Sequence, residues 1–286
     1  MNCAYLGPKG TYSELAAKRY KRQFNTDANL TAYSSFYNLF EALDQKKCDS
    51  ILIPIENSIG GFVDTVLDLM VHYPNTRIIS EYVLPIQCHL IAPPGTRLDH
   101  ITDIASHPQP ISQCASYLRH HFPNATLHHC SSSADAVRLL EASTDKSTAV
   151  IGSEFLATEY KLQILGKNIQ DQDHNQTRFA LIQRSNELEL TPDINPNIAH
   201  KTTIMCSMHH DRPGSLYTLL GYFEERKINL TQITSRPTKD AVGQYVFFID
   251  YETPRSPNDQ ASLLQDLEGH CISFMCLGTY SSHRLA

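Results

Sequence analysis

Long apolar stretches are missing from this chain of 286 residues: its longest uninterrupted runs, such as Ile51 to Ile55 and Tyr245 to Ile249, are about five residues, against roughly 20 for a membrane-spanning helix. A helical membrane protein is excluded. An excess of basic charge is missing too, since 24 Lys and Arg face 30 Asp and Glu for a net charge of −6. No basic face offers itself to nucleic acid or to an anionic membrane surface. The eight cysteines, at 3, 48, 88, 114, 130, 206, 271 and 276, form no Cys-x-x-Cys pair. Neither a structural zinc site nor a thioredoxin-type motif is spelled out, and buried free thiols are the expectation. The opening residues, Met1 to Gly7, lack both the basic segment and the apolar stretch of a secretory signal, so a cytoplasmic location is expected. Histidine is plentiful at 14, with adjacent residues at His120-His121, His128-His129 and His209-His210. Neighbouring strand residues point to opposite faces, so only His128 and Cys130 would share one. With no third and fourth ligand at a recognised spacing, no metal site is expected.

What is present is an ordinary globular composition, 41% hydrophobic and 19% charged, with length for about two domains. Segments of strand character alternate with helical ones through residue 184. The candidate strands are 3–6, 50–55, 78–92, 104–106, 126–130, 148–151 and 179–183, and the alternation predicts α/β layering with mostly parallel strands. Residues 185–200 lose periodicity, carry two prolines and read as a linker. Residues 201–286 then run strand (202–208), helix (213–226), strand (229–235), strand (244–252), helix (257–267), strand (272–280). That is the βαββαβ order of a ferredoxin-like domain.

Polar clusters interrupt this framework. Gly7-Pro8-Lys9-Gly10-Thr11-Tyr12-Ser13 lies where a strand hands over to a helix, and Thr11 with Glu14 spells a capping box. Amides and hydroxyls there suit a carboxylate or phosphate, although glycine turns of this kind are common and the spacing is neither Gly-x-Gly-x-x-Gly nor a Walker loop. Pro54-Ile55-Glu56-Asn57-Ser58-Ile59-Gly60-Gly61 sets a carboxylate, an amide and a hydroxyl at the carboxyl end of a predicted parallel strand, where ligands of open α/β sheets gather. Three consecutive polar side chains exceed what one helix cap needs. At a third junction, Ser106-His107-Pro108-Gln109 is followed by Gln113-Cys114, with Ser106 and Gln113 two turns apart on one side of a helix. Asn175-Gln176-Thr177-Arg178-Phe179 precedes the last strand of this part, and an Arg beside a hydroxyl makes a carboxylate fork. In the C-terminal part, Asp211, Pro213 and Gly214 read as the cap, first turn and close-approach residue of a helix start. Its free amides suit a small anion, or the segment simply turns the chain into the helix.

Taken together, these clusters make the sequence resemble the prephenate dehydratase family over nearly the whole chain. The resemblance implies that residues 1–184 form two α/β lobes like those of periplasmic solute-binding proteins, with the substrate between them, and that residues 201–286 form a regulatory ACT domain. It also implies a single-activity form, because Cys3 already begins the first catalytic strand and leaves no room for a preceding chorismate mutase.

By the same resemblance Thr177 is the catalytic residue, interacting with the hydroxyl that leaves prephenate, and Arg178 pins a carboxylate. Asn57, Ser106 and Gln113 are neutral groups for the carboxylates or the hydroxyl, and Ser58, Thr11 and Phe179 complete the substrate site. Glu56 would be repelled by a dianion, so it is either protonated or turned away. No cofactor is implied. L-phenylalanine is expected between two subunits at Asp211, Pro213, Gly214, Ser215 and Leu216 and at Ser235, Arg236 and Pro237, which makes the protein a homodimer or homotetramer through its ACT domains. The family usually has Glu before Ser-Arg-Pro where this chain has Thr234, leaving Asp211 to face the ammonium group. Arogenate dehydratase shares fold and motifs and is an alternative; a non-catalytic amino-acid sensor is a second, opposed by the intact Thr177-Arg178-Phe179.

Overall fold

The computed structural model describes residues 1–142, 146–185, 200–208, 213–238 and 244–285. The chain begins β1 (Asn2–Leu6), α1 (Tyr12–Gln23), β2 (Asn29–Tyr33), α2 (Phe36–Asp44), β3 (Ser50–Asn57), β4 (Gly61–Phe62), α3 (Asp64–His72) and β5 (Thr76–Pro85). It continues β6 (His89–Ala92), β7 (Asp103–Ser106), α4 (Pro108–Gln113), α5 (Ala115–His121), β8 (Thr126–His129), α6 (Ser133–Ala142), β9 (Thr148–Gly152), α7 (Glu154–Glu159), β10 (Gln163–Gly166) and β11 (Gln176–Arg184). It closes β12 (His200–Ser207), α8 (Ser215–Glu225), β13 (Leu230–Pro237), β14 (Tyr245–Glu252), α9 (Pro257–His270) and β15 (Ser273–Arg284). Among the described residues no helix is long and apolar enough to cross a membrane. The residues divide into two units, one of Met1–Val63, Val83–Phe179 and Arg284–Ala286, the other of Asp64–Tyr82 and Ala180–His283.

The first unit contains two sheets, matching the two α/β lobes expected. In one, β1 pairs in parallel with β2 and β3, and β11 lies beside β3. Ile51, Leu52 and Ile53 of β3 are all fully buried, as a parallel strand covered on both faces must be, each contributing about 1.5–3 kcal/mol of apolar burial. The second sheet runs β10-β6-β9-β7-β8, parallel from β7 to β8 and β9 and antiparallel around β6. Alternate residues feed opposite faces: Leu90, Ile104 and Ile151 enter one core, and Ile91, Ala105 and Val150 enter the other. At the start of α1, Thr11 Oγ1 accepts the Glu14 N–H at 3.3 Å while the Glu14 carboxylate reaches back to the Gly10 N–H at 2.5 Å. The capping box is therefore present, with its return bond one residue earlier than the usual pattern. The predicted strand 78–92 is two strands, because Pro85 has no ladder donor and ends β5.

In the second unit, β13-β14-β12-β15 pair antiparallel throughout, which is the ferredoxin-like arrangement expected. Leu219 and Phe223 of α8 and Leu263, Leu264 and Leu267 of α9 pack with Ile204, Ile249 and Tyr251 in its core. The stretch of β5 up to Tyr82 extends this sheet beside β15. Gly278, at φ +146°, sits where β15 shifts register against β12; a Cβ there would stand 2.1 Å from the Ile78 carbonyl oxygen, so only glycine fits. Helix α3 belongs to this unit through Arg236 of β13, which pairs with Asp64 at 2.7 Å and Asp68 at 3.0 Å.

Candidate active site

The carboxyl end of β3 and the start of β11 meet through a network of neutral side chains. Two main-chain N–H groups, of Ile59 at 3.1 Å and Gly60 at 2.9 Å, donate to Asn57 Oδ1. A backbone N–H cannot accept, so these two bonds fix which way the amide faces. Its Nδ2 then donates toward Asn175 Oδ1 at 2.7 Å, Thr177 Oγ1 at 3.0 Å and the Gln176 carbonyl at 3.2 Å. Thr177, 9% exposed, is thereby the acceptor in the one hydrogen bond its side chain makes among the described residues, and its hydroxyl proton is uncommitted.

The amide chain continues: Asn175 Nδ2 donates to Gln113 Oε1 at 2.9 Å, and Gln113 Nε2 is buried with no hydrogen-bond partner among the described residues. Gln109 reaches Asn57 Oδ1 at 3.3 Å. A Cβ at Gly60 would lie 2.8 Å from Gln109 Nε2, so a larger residue there would push the end of this side chain aside. Ser58 clasps the two strands, its N–H donating to the Gln176 carbonyl and its Oγ accepting the Gln176 N–H, each at 2.9 Å.

Beside this network Arg178 Nη1 donates to Glu56 Oε2 at 2.7 Å, with the two side chains only 16% and 24% exposed. Glu56 is thus turned to Arg178, and the carboxylate that Arg178 meets here is the protein's own. Phe179 is buried in the core. Asn57, Gln113, Ser58, Thr177, Arg178 and Glu56 are brought together; two other predicted residues are held elsewhere. Ser106 is fully buried, donating to the Ile151 carbonyl at 2.7 Å and lying 2.9 Å from Ser133 Oγ. Thr11 is occupied as the α1 cap and lies within reach of the Leu6 and Pro8 carbonyls at 3.3 and 2.9 Å. Asn175, Gln109 and the two main-chain amides were not among the predicted site residues. Asn175 stood inside a quoted motif, but nothing in the motif marked it as the link between Asn57 and Gln113.

In the second unit Gly214 caps α8 in the left-handed conformation, φ +88°, a shape that suits glycine. Ser215 and Leu216 open the helix, which begins two residues later than Pro213. Ser235, Arg236 and Pro237 end β13, and the Arg236 guanidinium is engaged by Asp64 and Asp68. Asp211, with His209 and His210, lies outside the described residues.

A family description of the ACT domain matches residues 202–265. Fold and site therefore define an α/β protein of two lobes that carries an ACT domain. The description of prephenate dehydratase matches residues 3–187, and the chain belongs to the prephenate dehydratase family. Among its relatives, the prephenate dehydratase of Methanocaldococcus jannaschii is 36% identical over 276 residues, 96% of each chain. The solved prephenate dehydratase of Arthrobacter aurescens in complex with L-Phe superposes with a TM-score of 0.86 at 31% identity, covering 98% of this chain and 90% of that one. The prephenate dehydratase of Staphylococcus aureus gives a TM-score of 0.80 at 26% identity, covering 98% of this chain and all of that one.

Proposed function

We propose that this chain is a hydro-lyase that converts prephenate to phenylpyruvate, carbon dioxide and water, with residues 1–184 catalytic, 185–200 a linker and 201–286 regulatory. In this reaction the ring carboxylate is lost as CO2, its bonding electron pair enters the ring, and the ring becomes aromatic as the C–O bond breaks and hydroxide leaves. Aromatisation supplies the drive; the protein has to orient the ring and receive the departing oxygen.

The single observation that carries this reading is the direction of the Thr177 hydroxyl. Asn57 supplies a hydrogen bond to Thr177 Oγ1, so the threonine proton is left to donate to the departing hydroxide. A threonine hydroxyl is a feeble acid, and hydrogen bonding in a prearranged geometry is its contribution. The unpartnered Gln113 Nε2 is a second donor for a substrate oxygen, and Arg178 supplies the cation for a substrate carboxylate in competition with Glu56. Feedback by L-phenylalanine at the ACT domain, in a dimer or tetramer, is part of this proposal; the solved relative in complex with L-Phe supports the choice of amino acid.

The test is to incubate wild type and Thr177→Val separately with prephenate and with arogenate, following phenylpyruvate and phenylalanine. Wild type is expected to form phenylpyruvate from prephenate. Thr177→Val, nearly isosteric but without the hydroxyl, is expected to lose most turnover while its melting temperature stays close to wild type. Undiminished turnover in that variant refutes the role of the hydroxyl; no product from either substrate refutes the activity.

A further inference from the structure

A cavity of about 430 Å³ lies in the first unit, and of the substrate-site residues predicted from the sequence it contains none. One wall is α1, where Leu15, Arg19 and Arg22, at i, i+4 and i+7, fall on one helical face. The other includes Pro85, His89 and Phe155. Part of the charge on the α1 wall is not balanced among the described residues. Lys18 is held by Glu14 at 3.1 Å and Glu159 at 3.0 Å, but among the described residues neither Arg19 nor Arg22 has a carboxylate partner. Arg19 is half-buried, and burial together with the neighbouring Arg22 pulls its pKa down. Arg22 is accounted for by its place in the last turn of α1, where a cation complements the helix dipole; Arg19, a turn earlier, is not. A guanidinium stays charged at neutral pH, so an oxyanion is what relieves the repulsion between these two.

His89 provides an independent pointer. It is 4% exposed, and its Nδ1 accepts the Asn168 N–H at 3.0 Å. The neutral ring therefore carries its proton on Nε2, a donor with no acceptor among the described residues. Burial lowers its pKa and keeps the ring in that neutral form. Glu154 also lines the cavity, but it lies 3.9 Å from Lys167 and is exposed. Leu15, Pro85 and the Phe155 ring, which Lys18 Nζ approaches to 4.6 Å, give the rest of the cavity an apolar lining. The volume falls in the range of small-ligand sites.

We propose that this cavity is a second binding site, for a small organic carboxylate whose charged end meets Arg19, Arg22 and His89 and whose apolar body packs on Leu15, Pro85 and Phe155. The test is calorimetric titration of the full-length protein with 3-phenylpropanoate and, separately, with inorganic phosphate. Wild type is expected to bind 3-phenylpropanoate more tightly than phosphate. Arg19→Gln is expected to weaken 3-phenylpropanoate about tenfold or more, the loss of one charge-assisted contact, and Arg19→Lys less, with prephenate turnover unchanged in both. Unchanged affinity in Arg19→Gln overturns the proposal, because the probe then sits elsewhere, at the Thr177 cluster or the ACT domain. Phosphate binding as tightly as 3-phenylpropanoate overturns the organic class, and binding of neither probe at millimolar concentration overturns the site. Arg22→Gln, on an exposed turn, is expected to weaken the probe in the same direction and keeps the test open should Arg19→Gln not fold.

Discussion

Asn57→Asp changes one atom type at the centre of the amide network and nothing in its volume. The oxygen that accepts from the Ile59 and Gly60 N–H groups remains, but the Nδ2 donor becomes an acceptor beside Asn175 Oδ1, at 2.7 Å, and Thr177 Oγ1, at 3.0 Å. Two acceptors cannot share that approach, and the Thr177 hydroxyl resolves it by turning to donate to the new carboxylate. Its proton then points to residue 57, away from the position proposed for the departing hydroxide. Turning it back for each turnover means breaking a hydrogen bond to a charged group, about 1.5–3 kcal/mol. At 1.36 kcal/mol for each factor of ten, kcat falls by about 10- to 150-fold. Asn175 Oδ1 also loses its donor, a cost of about 1–3 kcal/mol in stability. The assay is phenylpyruvate formation with kcat and KM separated, alongside a urea denaturation midpoint. A variant with wild-type kcat and a wild-type midpoint refutes the argument, and so does a loss confined to KM, which would make Asn57 a group that binds the ground state and transition state alike.

Glu56→Gln removes the carboxylate that meets the largely buried Arg178 at 2.7 Å and is expected to lower stability by about 1–3 kcal/mol, discounted for partial exposure. The same change removes a carboxylate that competes for the guanidinium, so under the proposed role of Arg178 KM for prephenate is expected to fall; an unchanged denaturation midpoint and KM would show the pair to be idle. His89, His107 and His283 all titrate below the ordinary 6.5 because burial disfavours their charged forms. The unfolded chain therefore takes up protons first, and the stability these rings contribute is complete above about pH 6.5 and is lost as pH falls through their depressed values. Melting temperature is expected to drop from pH 7 to pH 5, and a flat profile over that range refutes the linkage. Arg236 is occupied by Asp64 and Asp68, so if it takes the carboxylate of L-phenylalanine it must first give these up. Asp68→Asn is expected to tighten L-phenylalanine several-fold in a calorimetric titration, and equal affinity in the two proteins removes Arg236 from the effector site.

Much of the fold was legible because it is written locally. The apolar run at Ile51–Ile53 and the Thr11 cap each occupy a few neighbouring residues, each element of the βαββαβ order is a short local pattern, and all of them reappear in the structure. Strands with weak local signals escaped: β2 is a mostly exposed Asn-Leu-Thr-Ala-Tyr, and β10 is half-buried along its length. The membership of Asp64–Tyr82 in the second unit was not legible either, since it depends on contacts such as Arg236 with Asp68, 168 residues apart. In the site, residue types named Thr177, Arg178, Asn57 and Gln113. The connection through Asn175 joins Asn57 across 118 residues, and no spacing within a motif encodes a contact of that range. Ser106 and Thr11 show the opposite case, polar residues in the right motif whose hydroxyls are already engaged, Thr11 by its local backbone and Ser106 by the carbonyl of Ile151, 45 residues away.

The two N–H groups that orient Asn57 belong to the main chain at Ile59 and Gly60. Ile59 can therefore drift in side chain through nearly any substitution while the chemistry it serves stays intact. Proline is the exception, because it deletes the proton itself. Variation tolerated at position 59 is thus no sign of unimportance: part of what aims the Thr177 hydroxyl is inherited through the path of the chain rather than through the identity of a residue.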